Sequence, residues 1–199
     1  MIEFFFDCSS PWTYLAFENI DRLSKELDTP ISWRPFLVGG VFNTVNPSVY
    51  VLRQNEASPK LLYMHKDIQD WARLQKLDIL FPPSVFPVNS VKAMRACCVL
   101  GQECVPFARR AFEAYFGEDR DISQDDVLQS IAVELSIDWP NLKEQLSSDA
   151  IKAQLRANTD ELIARGGFGS PTMFVDGDDM YFGNDRMGLV REAVLRRKA

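Results

Sequence analysis

The sequence holds a single histidine, His65, so catalytic or metal centres assembled from several imidazoles are largely excluded. His65 itself reads as a plain surface residue of a mixed polar helix. The four cysteines, Cys8, Cys97, Cys98 and Cys104, contain no Cys-x-x-Cys pair, and Cys97 with Cys98 falls inside an apolar helical stretch. Such spacing gives neither a disulfide framework nor a zinc site, and no metal is expected. Positive charge is also short: 22 Lys and Arg stand against 28 Asp and Glu, a net charge of −6. Nucleic acid is excluded as a partner on that ground, because its recognition needs clustered cations that displace counterions from phosphate. The basic run Arg196, Arg197, Lys198 suits a solvated helix end. No apolar run approaches the roughly 18 residues that span a bilayer, and no basic-then-apolar leader precedes the first strand. The expectation is a cytoplasmic protein with no membrane partner. Repeats and low-complexity segments are lacking as well.

What is present is a chain of 199 residues, 46% hydrophobic, enough to bury one core or one core enlarged by an insertion. Residues 1–7 form a nearly continuous apolar run, with Ile2, Phe4 and Phe6 on one face and Phe5 on the other, which reads as a buried strand. Ser9, Ser10 and Pro11 then precede Trp12, Leu15, Ala16, Ile20, Leu23 and Leu27 at helical spacing; serine caps a helix well and proline fits its first turn. After a turn at Asp28, Thr29 and Pro30, residues 31–36 return as a second strand, completing a right-handed β-α-β unit. From 39 to 165 the pattern changes to helices and loops, with helices expected near 61–76, 90–101, 104–116, 123–136 and 148–165. Ser123 and Ser148 mark helix starts, and Gly166 with Gly167 closes the last of these helices. The stretch 78–89, with Pro82, Pro83 and Pro87, is a poor helix or central strand and is expected to line something. A hairpin follows, residues 172–176 and 180–182 around Gly177 and Asp178, and a final helix runs from Asn184.

The order is thus β-α-β, a helical block, then β-β-α around one sheet. Residues 1–38 and 166–199 make a discontinuous α/β unit, and 39–165 a helical insertion. Three short motifs fall at the junctions of this order: Ser10-Pro11-Trp12-Thr13 where the first strand meets its helix, Gly169-Ser170-Pro171-Thr172 just before a strand, and Phe182-Gly183-Asn184-Asp185-Arg186 opening the last helix. A serine at a helix N-terminus sits among unpaired backbone donors and the positive end of the dipole, and its hydroxyl can donate to a sulfur anion. Lowering a thiol pKa by about two units from about 8.5 needs about 2.7 kcal/mol, a plausible load for one hydrogen bond plus a dipole. On the residues alone, two readings of Ser10 stay open: a helix cap only, or a cap that also steadies a thiolate.

The stretch from Phe6 to Ala16 resembles the opening of the DsbA-like branch of the thioredoxin superfamily, in which Cys-Pro-x-Cys starts the first helix. Here Ser10 and Thr13 stand at the two cysteine positions, so dithiol chemistry at this motif is excluded. The serine is similar to that of the kappa-class glutathione transferases and 2-hydroxychromene-2-carboxylate isomerases. The resemblance runs nearly end to end, through residues 36–46, the Lys60 to Arg73 stretch with its Asp-x-x-x-Trp-Ala-Arg run, Phe86-Pro87-Val88-Asn89, and the two later motifs. The Pro-x-Asn and Trp-Ala-Arg segments look more like the isomerases.

The resemblance implies a thioredoxin-like α/β fold with a large α-helical insertion, glutathione as cofactor, a small aromatic or electrophilic substrate, and a homodimer. It implies that Ser10 activates the thiol, that Pro171 is a cis-proline exposing the Ser170 backbone to the tripeptide, and that Asn46 and Lys60 contact glutathione. It further implies that Asn184 and Asp185 receive the γ-glutamyl end, and that Asn89 meets the second substrate beside Trp12. Each has a plainer reading: Pro171 and Asn89 as turn residues, Asn184 and Asp185 as a helix start, Asn46 and Lys60 as loop polars. Trp12, Tyr14, Phe42 and Phe81 are candidates for the pocket wall or for the core. The expected activity is cis-trans isomerisation by reversible thiolate addition. Its rivals are a transferase, a thiol-disulfide protein working through Cys8, and a non-catalytic binding module.

Overall fold

The computed structural model describes residues 1–54 and 58–198. Four strands form one mixed sheet in the order β2-β1-β3-β4: β1 (Ile2–Phe6), β2 (Ile31–Pro35), β3 (Thr172–Val175) and β4 (Asp179–Phe182). β1 pairs parallel with β2 and antiparallel with β3, and β3 pairs antiparallel with β4. β1 is central, which explains why its phenylalanines run consecutively instead of alternating with polar residues: helices cover both faces. Phe4 and Phe6 pack edge-on against Phe17 and Trp33 on one face, whereas Phe5 meets Phe36 and Phe174 on the other. The second face closes with Val41 and Leu162 into a small core of its own. Each fully buried phenylalanine contributes about 1.5–3 kcal/mol by leaving water.

Helix α1 (Pro11–Glu26) connects β1 to β2, and α10 (Met187–Lys198) follows β4 after a short 3-10 turn at Asn184–Arg186. Between β2 and β3 lie α2 (Val38–Thr44), α3 (Ser48–Gln54), α4 (Pro59–Gln75), α5 (Val91–Leu100), α6 (Val105–Phe112), α7 (Asp125–Glu134), α8 (Trp139–Leu146) and α9 (Asp149–Ala164). The helical block and the first face of the sheet share one continuous core, in which Phe4, Phe17, Phe107, Phe112 and Leu128 all belong.

Three helices exceed those expected. α2 carries two adjacent glycines and α3 is seven residues long, so neither has a helical signature that stands without the packing around it. α8 had a readable start: Asp138 caps it, accepting from the Asn141 N–H at 3.3 Å, and Pro140 sits in its first turn. Ser148 caps α9 as expected, accepting from the Ile151 N–H at 3.3 Å. Ser123 does not cap α7; its N–H bonds the Asp121 carboxylate at 2.9 Å, and the extended cap residue is Gln124. The helix expected at 104–116 leaves α geometry at Phe112 and ends in a π turn, Glu113–Gly117, that buries Ala114, Tyr115 and Phe116 together. Residues 78–89 are irregular, as their prolines dictate. After α9, Gly166 turns with φ +84°, and Arg165 pairs with Glu3 at 2.7 Å, which delivers the chain to the loop before β3. Among the described residues no helix is long and apolar enough to cross a membrane, and no cluster of His, Cys, Asp or Glu is arranged for a metal ion.

Candidate active site

The chain leaves β1 at Asp7 and turns sharply into α1. The Ser10 N–H donates to the Asp7 carbonyl at 3.1 Å, and Ser10 itself is extended (φ −101°, ψ 119°), the conformation of a cap. Its hydroxyl is used twice: Oγ accepts from the Thr13 N–H at 3.2 Å and donates to the Ser170 carbonyl at 3.1 Å. Ser170 closes the circuit, because its Oγ lies 2.6 Å from Thr13 Oγ1 and accepts from the Asp7 N–H at 3.1 Å. The Ser170–Pro171 peptide is cis. The two positions that could have carried cysteines therefore carry hydroxyls knitted to the cis-proline loop.

The supply of free amides at this helix start is smaller than the sequence implies. Pro11 has none, and the Thr13 and Tyr14 N–H groups both reach the Ser10 carbonyl, at 3.1 Å each. The Trp12 N–H remains as the first-turn donor with no partner among the described residues. A thiolate beside Ser10 has that N–H, the dipole of a sixteen-residue helix, and the Ser10 hydroxyl once it swings from the Ser170 carbonyl.

Asp7 was not anticipated as a site residue. It is 1% exposed; Oδ1 accepts from the Ser9 N–H at 2.9 Å and Oδ2 from the Val38 N–H at 2.9 Å. Burial pushes its carboxyl above the ordinary range, opposed by those amides and by the Ser90 hydroxyl. One side chain thus joins the Ser10 turn, the start of α2 and the residue before α5. The local Asp7-x-Ser9 turn was legible; the partners 31 residues and more away were not.

These segments enclose a cavity of about 450 Å³. Ser10, Trp12, Asn46, Asn89 and Ser170, all expected at the site, line it together with Asp7 and Ser90. Phe42 and Phe81 are in its wall as expected, and residues 81 and 86–91 supply one side, so the proline-rich stretch does line something. Tyr14 is core instead: its ring stacks on Phe112 at 5.2 Å and 6°, and burial lifts its phenol to about 12. Asn46 bridges segments, donating to the Phe168 carbonyl at 3.2 Å and accepting from the Ser48 hydroxyl at 2.8 Å. Asn89 turns the chain into α5 by accepting from the Val91 N–H at 3.1 Å, which realises its plainer role, and the residue also lines the cavity. A Cβ at Gly169 would come 2.7 Å from the Phe182 ring, so a larger residue there would displace that ring in the wall.

Pro171 is itself outside the lining, behind Ser170, and three further expected ligands lie elsewhere. Lys60 is exposed in the first turn of α4 and lines neither cavity. Asn184 and Asp185 line a second cavity of about 640 Å³, between α1, the end of α4 and the start of α10. Asn184 is no cap: Gly183 holds that position, and the Asn184 side chain is buried. Asp185 pairs with its neighbour Arg186. The turn still touches the site indirectly, through a 3.2 Å bond from the Gly183 N–H to the Pro171 carbonyl.

Cys8 departs from the site altogether. It is fully buried, its N–H points to the Met94 sulfur at 3.3 Å, and it is absent from the cavity lining. Burial raises its thiol, and Cys97, Cys98 and Cys104 are equally buried and raised. A high-pKa thiol without solvent access is a poor redox nucleophile, so the geometry opposes the thiol-disulfide reading.

Comparison with known proteins agrees with this architecture. A DSBA-like thioredoxin domain model matches residues 1–195. The chain belongs to the DSBA-like thioredoxin family. Within it, this DSBA-like chain is similar to a Pseudomonas putida protein named 2-hydroxychromene-2-carboxylate isomerase, 28% identical over 98% of this chain and 95% of that one. It is 30% identical to glutathione S-transferase kappa 2 of Caenorhabditis elegans, over 96% and 90% of the two chains. A solved 2-hydroxychromene-2-carboxylate isomerase superposes with a TM-score of 0.85 at 28% identity, covering 99% of this chain and 95% of the other. The relatives are enzymes.

Proposed function

We propose that this chain is a glutathione-dependent isomerase, resembling the 2-hydroxychromene-2-carboxylate isomerases, that uses Ser10 to steady a thiolate beside an aromatic cavity. The reading is carried by one observation: a hydroxyl at the N-terminus of α1, bonded at 3.1 Å to the carbonyl before a cis-proline, on the wall of that cavity. These residues fit the tripeptide: the cis-proline loop sets Ser170 on the cavity wall, and the Trp12 N–H and Ser10 hydroxyl offer donors where sulfur would sit.

When bound, glutathione supplies a thiolate that adds reversibly to a conjugated enone, so that a double bond becomes a rotatable single bond until elimination restores it. The chain's part is to hold that charge and the substrate. Ser10 gives up its bond to the Ser170 carbonyl and donates to sulfur; the α1 dipole and the Trp12 N–H add to the same effect. Asn46 and Ser170 hold the loop edges against which the peptide lies. Asp185 remains the proposed partner of the γ-glutamyl ammonium, kept near the cis-proline by the Gly183 to Pro171 bond, with Asn184 beside it and Lys60 as a further carboxylate contact. The aromatic wall with Asn89 takes the enone.

The test is a turnover assay with an aromatic cis-enone and glutathione at a tenth of its concentration. Isomerisation far beyond one turnover per glutathione, with the free thiol count unchanged at the end, supports the reading. Loss of thiol in step with product would replace it with a conjugating transferase, and no reaction at all in a chain that binds no glutathione would leave a binding module.

A further inference from the structure

Asp7 is where four stretches of chain around the cavity are tied together. Its N–H donates to Ser170 Oγ and its carbonyl accepts from the Ser10 N–H, both at 3.1 Å, so its backbone joins the cis-proline loop to the turn that opens α1. Its side chain reaches further. Oδ1 accepts from the Ser9 N–H and Oδ2 from the Val38 N–H, both at 2.9 Å, and the Ser90 hydroxyl is a third donor to the same carboxyl group. Ser9, Ser10, Val38, Ser90 and Ser170 all line the cavity together with Asp7.

Two amides that arrive at different oxygens of one side chain match a carboxylate. An asparagine in its place could accept from one of them and would turn its NH₂ on the other. The fold therefore holds a charge-bearing group, 1% exposed and sustained by three donors, on the wall where sulfur is proposed to lie as a second anion. The groups in contact with it are Ser9 on its own turn, Val38 at the start of α2, Ser90 before α5, and Ser170; beside it in the chain, the Cys8 thiol is kept protonated by burial. A fixed negative charge beside a thiolate disfavours its ionised form, against the pull of the Ser10 hydroxyl, the Trp12 N–H and the α1 dipole. That opposition suits a reversible addition, because thiolates lose nucleophilicity as their pKa falls, by about 0.4–0.5 in log rate per unit. Sulfur held too firmly as an anion would be abundant and unreactive.

Building on the glutathione-dependent reading, we infer that Asp7 is a positioning residue for the sulfur: it fixes the Ser10 turn against the other walls of the cavity, and its charge keeps the thiolate basic enough to attack. The step it serves forms the bond from sulfur to the β-carbon of the enone while the double-bond electrons move onto the carbonyl oxygen; elimination reverses both movements. Loosening of the site and loss of the charge then have opposite signatures. A loosened site weakens the donors to sulfur and raises the thiol pKa towards the free value of about 8.5. Loss of the charge alone lowers it.

The test is ultraviolet titration of glutathione bound to the whole protein and to Asp7→Asn, with Asp7→Ser, small enough to admit water to the freed amides, as a second neutral variant should the first fail to fold. The neutral variants should titrate about one unit below the wild type, a tenfold change in ionisation. Asp7→Glu, which disturbs the same ties and keeps the charge, should titrate no lower than the wild type. The rates should cross as well: one pH unit below the wild-type midpoint, kcat/KM for an aromatic enone should rise about twofold in Asp7→Asn, and well above the midpoint it should fall about threefold. A thiol pKa in a folded neutral variant at or above the wild-type value, an equal fall in Asp7→Glu, or a rate reduced by the same factor at every pH overturns the inference. A wild-type complex with no thiolate band defeats the isomerase reading itself, whereas a band that the neutral variants leave in place defeats this inference alone.

Discussion

Cys8 and Ser10 are two residues apart and lead opposite lives. The thiol is the stronger nucleophile by type, yet it is sealed against Met94 with its ionisation suppressed by burial. The hydroxyl is the weaker group, yet it holds the end of α1, the cis-proline loop and the wall of the cavity. β1 alternates between the faces of its sheet, and the first residues beyond it keep that alternation long enough to send Cys8 into the core before the turn brings Ser10 out. Residue chemistry alone favours the thiol; the end of the strand buries it and brings the hydroxyl to the cavity.

Breaking the Ser10 half of the contrast should have the largest consequence. In Ser10→Ala, loss of a donor to sulfur should lower turnover by about a hundredfold, corresponding to about 2.7 kcal/mol, with KM for glutathione changed much less. Steady-state kinetics would show this, and retention of more than half the activity would count against it. Thr13→Val comes next: it removes the 2.6 Å bond to Ser170 and leaves that hydroxyl with one partner fewer in a buried place. A loss of about 1–3 kcal/mol is expected in denaturant unfolding, with activity falling as the cis-proline loop loosens.

Asp7 offers a smaller and pH-dependent test. Its folded-state pKa is raised above 3.8 by burial, so in the window just above 3.8 the native state holds a proton that the unfolded chain has released. Stability relative to Asp7→Asn must then fall as pH rises from 3.8 to the raised value, and stay level beyond it. Unfolding of both proteins across that window measures the difference; a difference that grows in favour of Asp7 with rising pH would mean that the amides outweigh burial. Cys8→Ala should do least, with activity within about twofold of wild type and a packing cost of about 1 kcal/mol. Activity lost in that variant while its melting temperature holds would return the thiol to the mechanism.

The sheet was legible because β1 is apolar on both faces and because Ser10-Pro11 is a strong helix start. The hairpin at Gly177 was legible for the same local reasons. Of the three helices that escaped notice, α2 and α3 are short and held by packing, with Gly39 and Gly40 in α2, whereas α8 had a readable cap at Asp138. At the site, Ser10, Trp12, Asn46, Asn89 and Ser170 line one cavity. What could not be read was long-range: the reach of Asp7 to Val38 and Ser90, the burial of Asn184, and the stacking that draws Tyr14 onto Phe112 and out of the pocket. Such contacts depend on which elements meet, and a local motif carries no record of that.

The central claim is that sulfur is held as an anion against one hydroxyl. Its most direct test is the ultraviolet absorbance of thiolate in glutathione bound to the wild type and to Ser10→Ala, titrated with pH. The wild-type complex should titrate about two units below the free thiol value of about 8.5, and the variant at least about one unit higher than the wild type. Identical curves for the two proteins, or a wild-type curve no lower than that of free glutathione, would contradict the account.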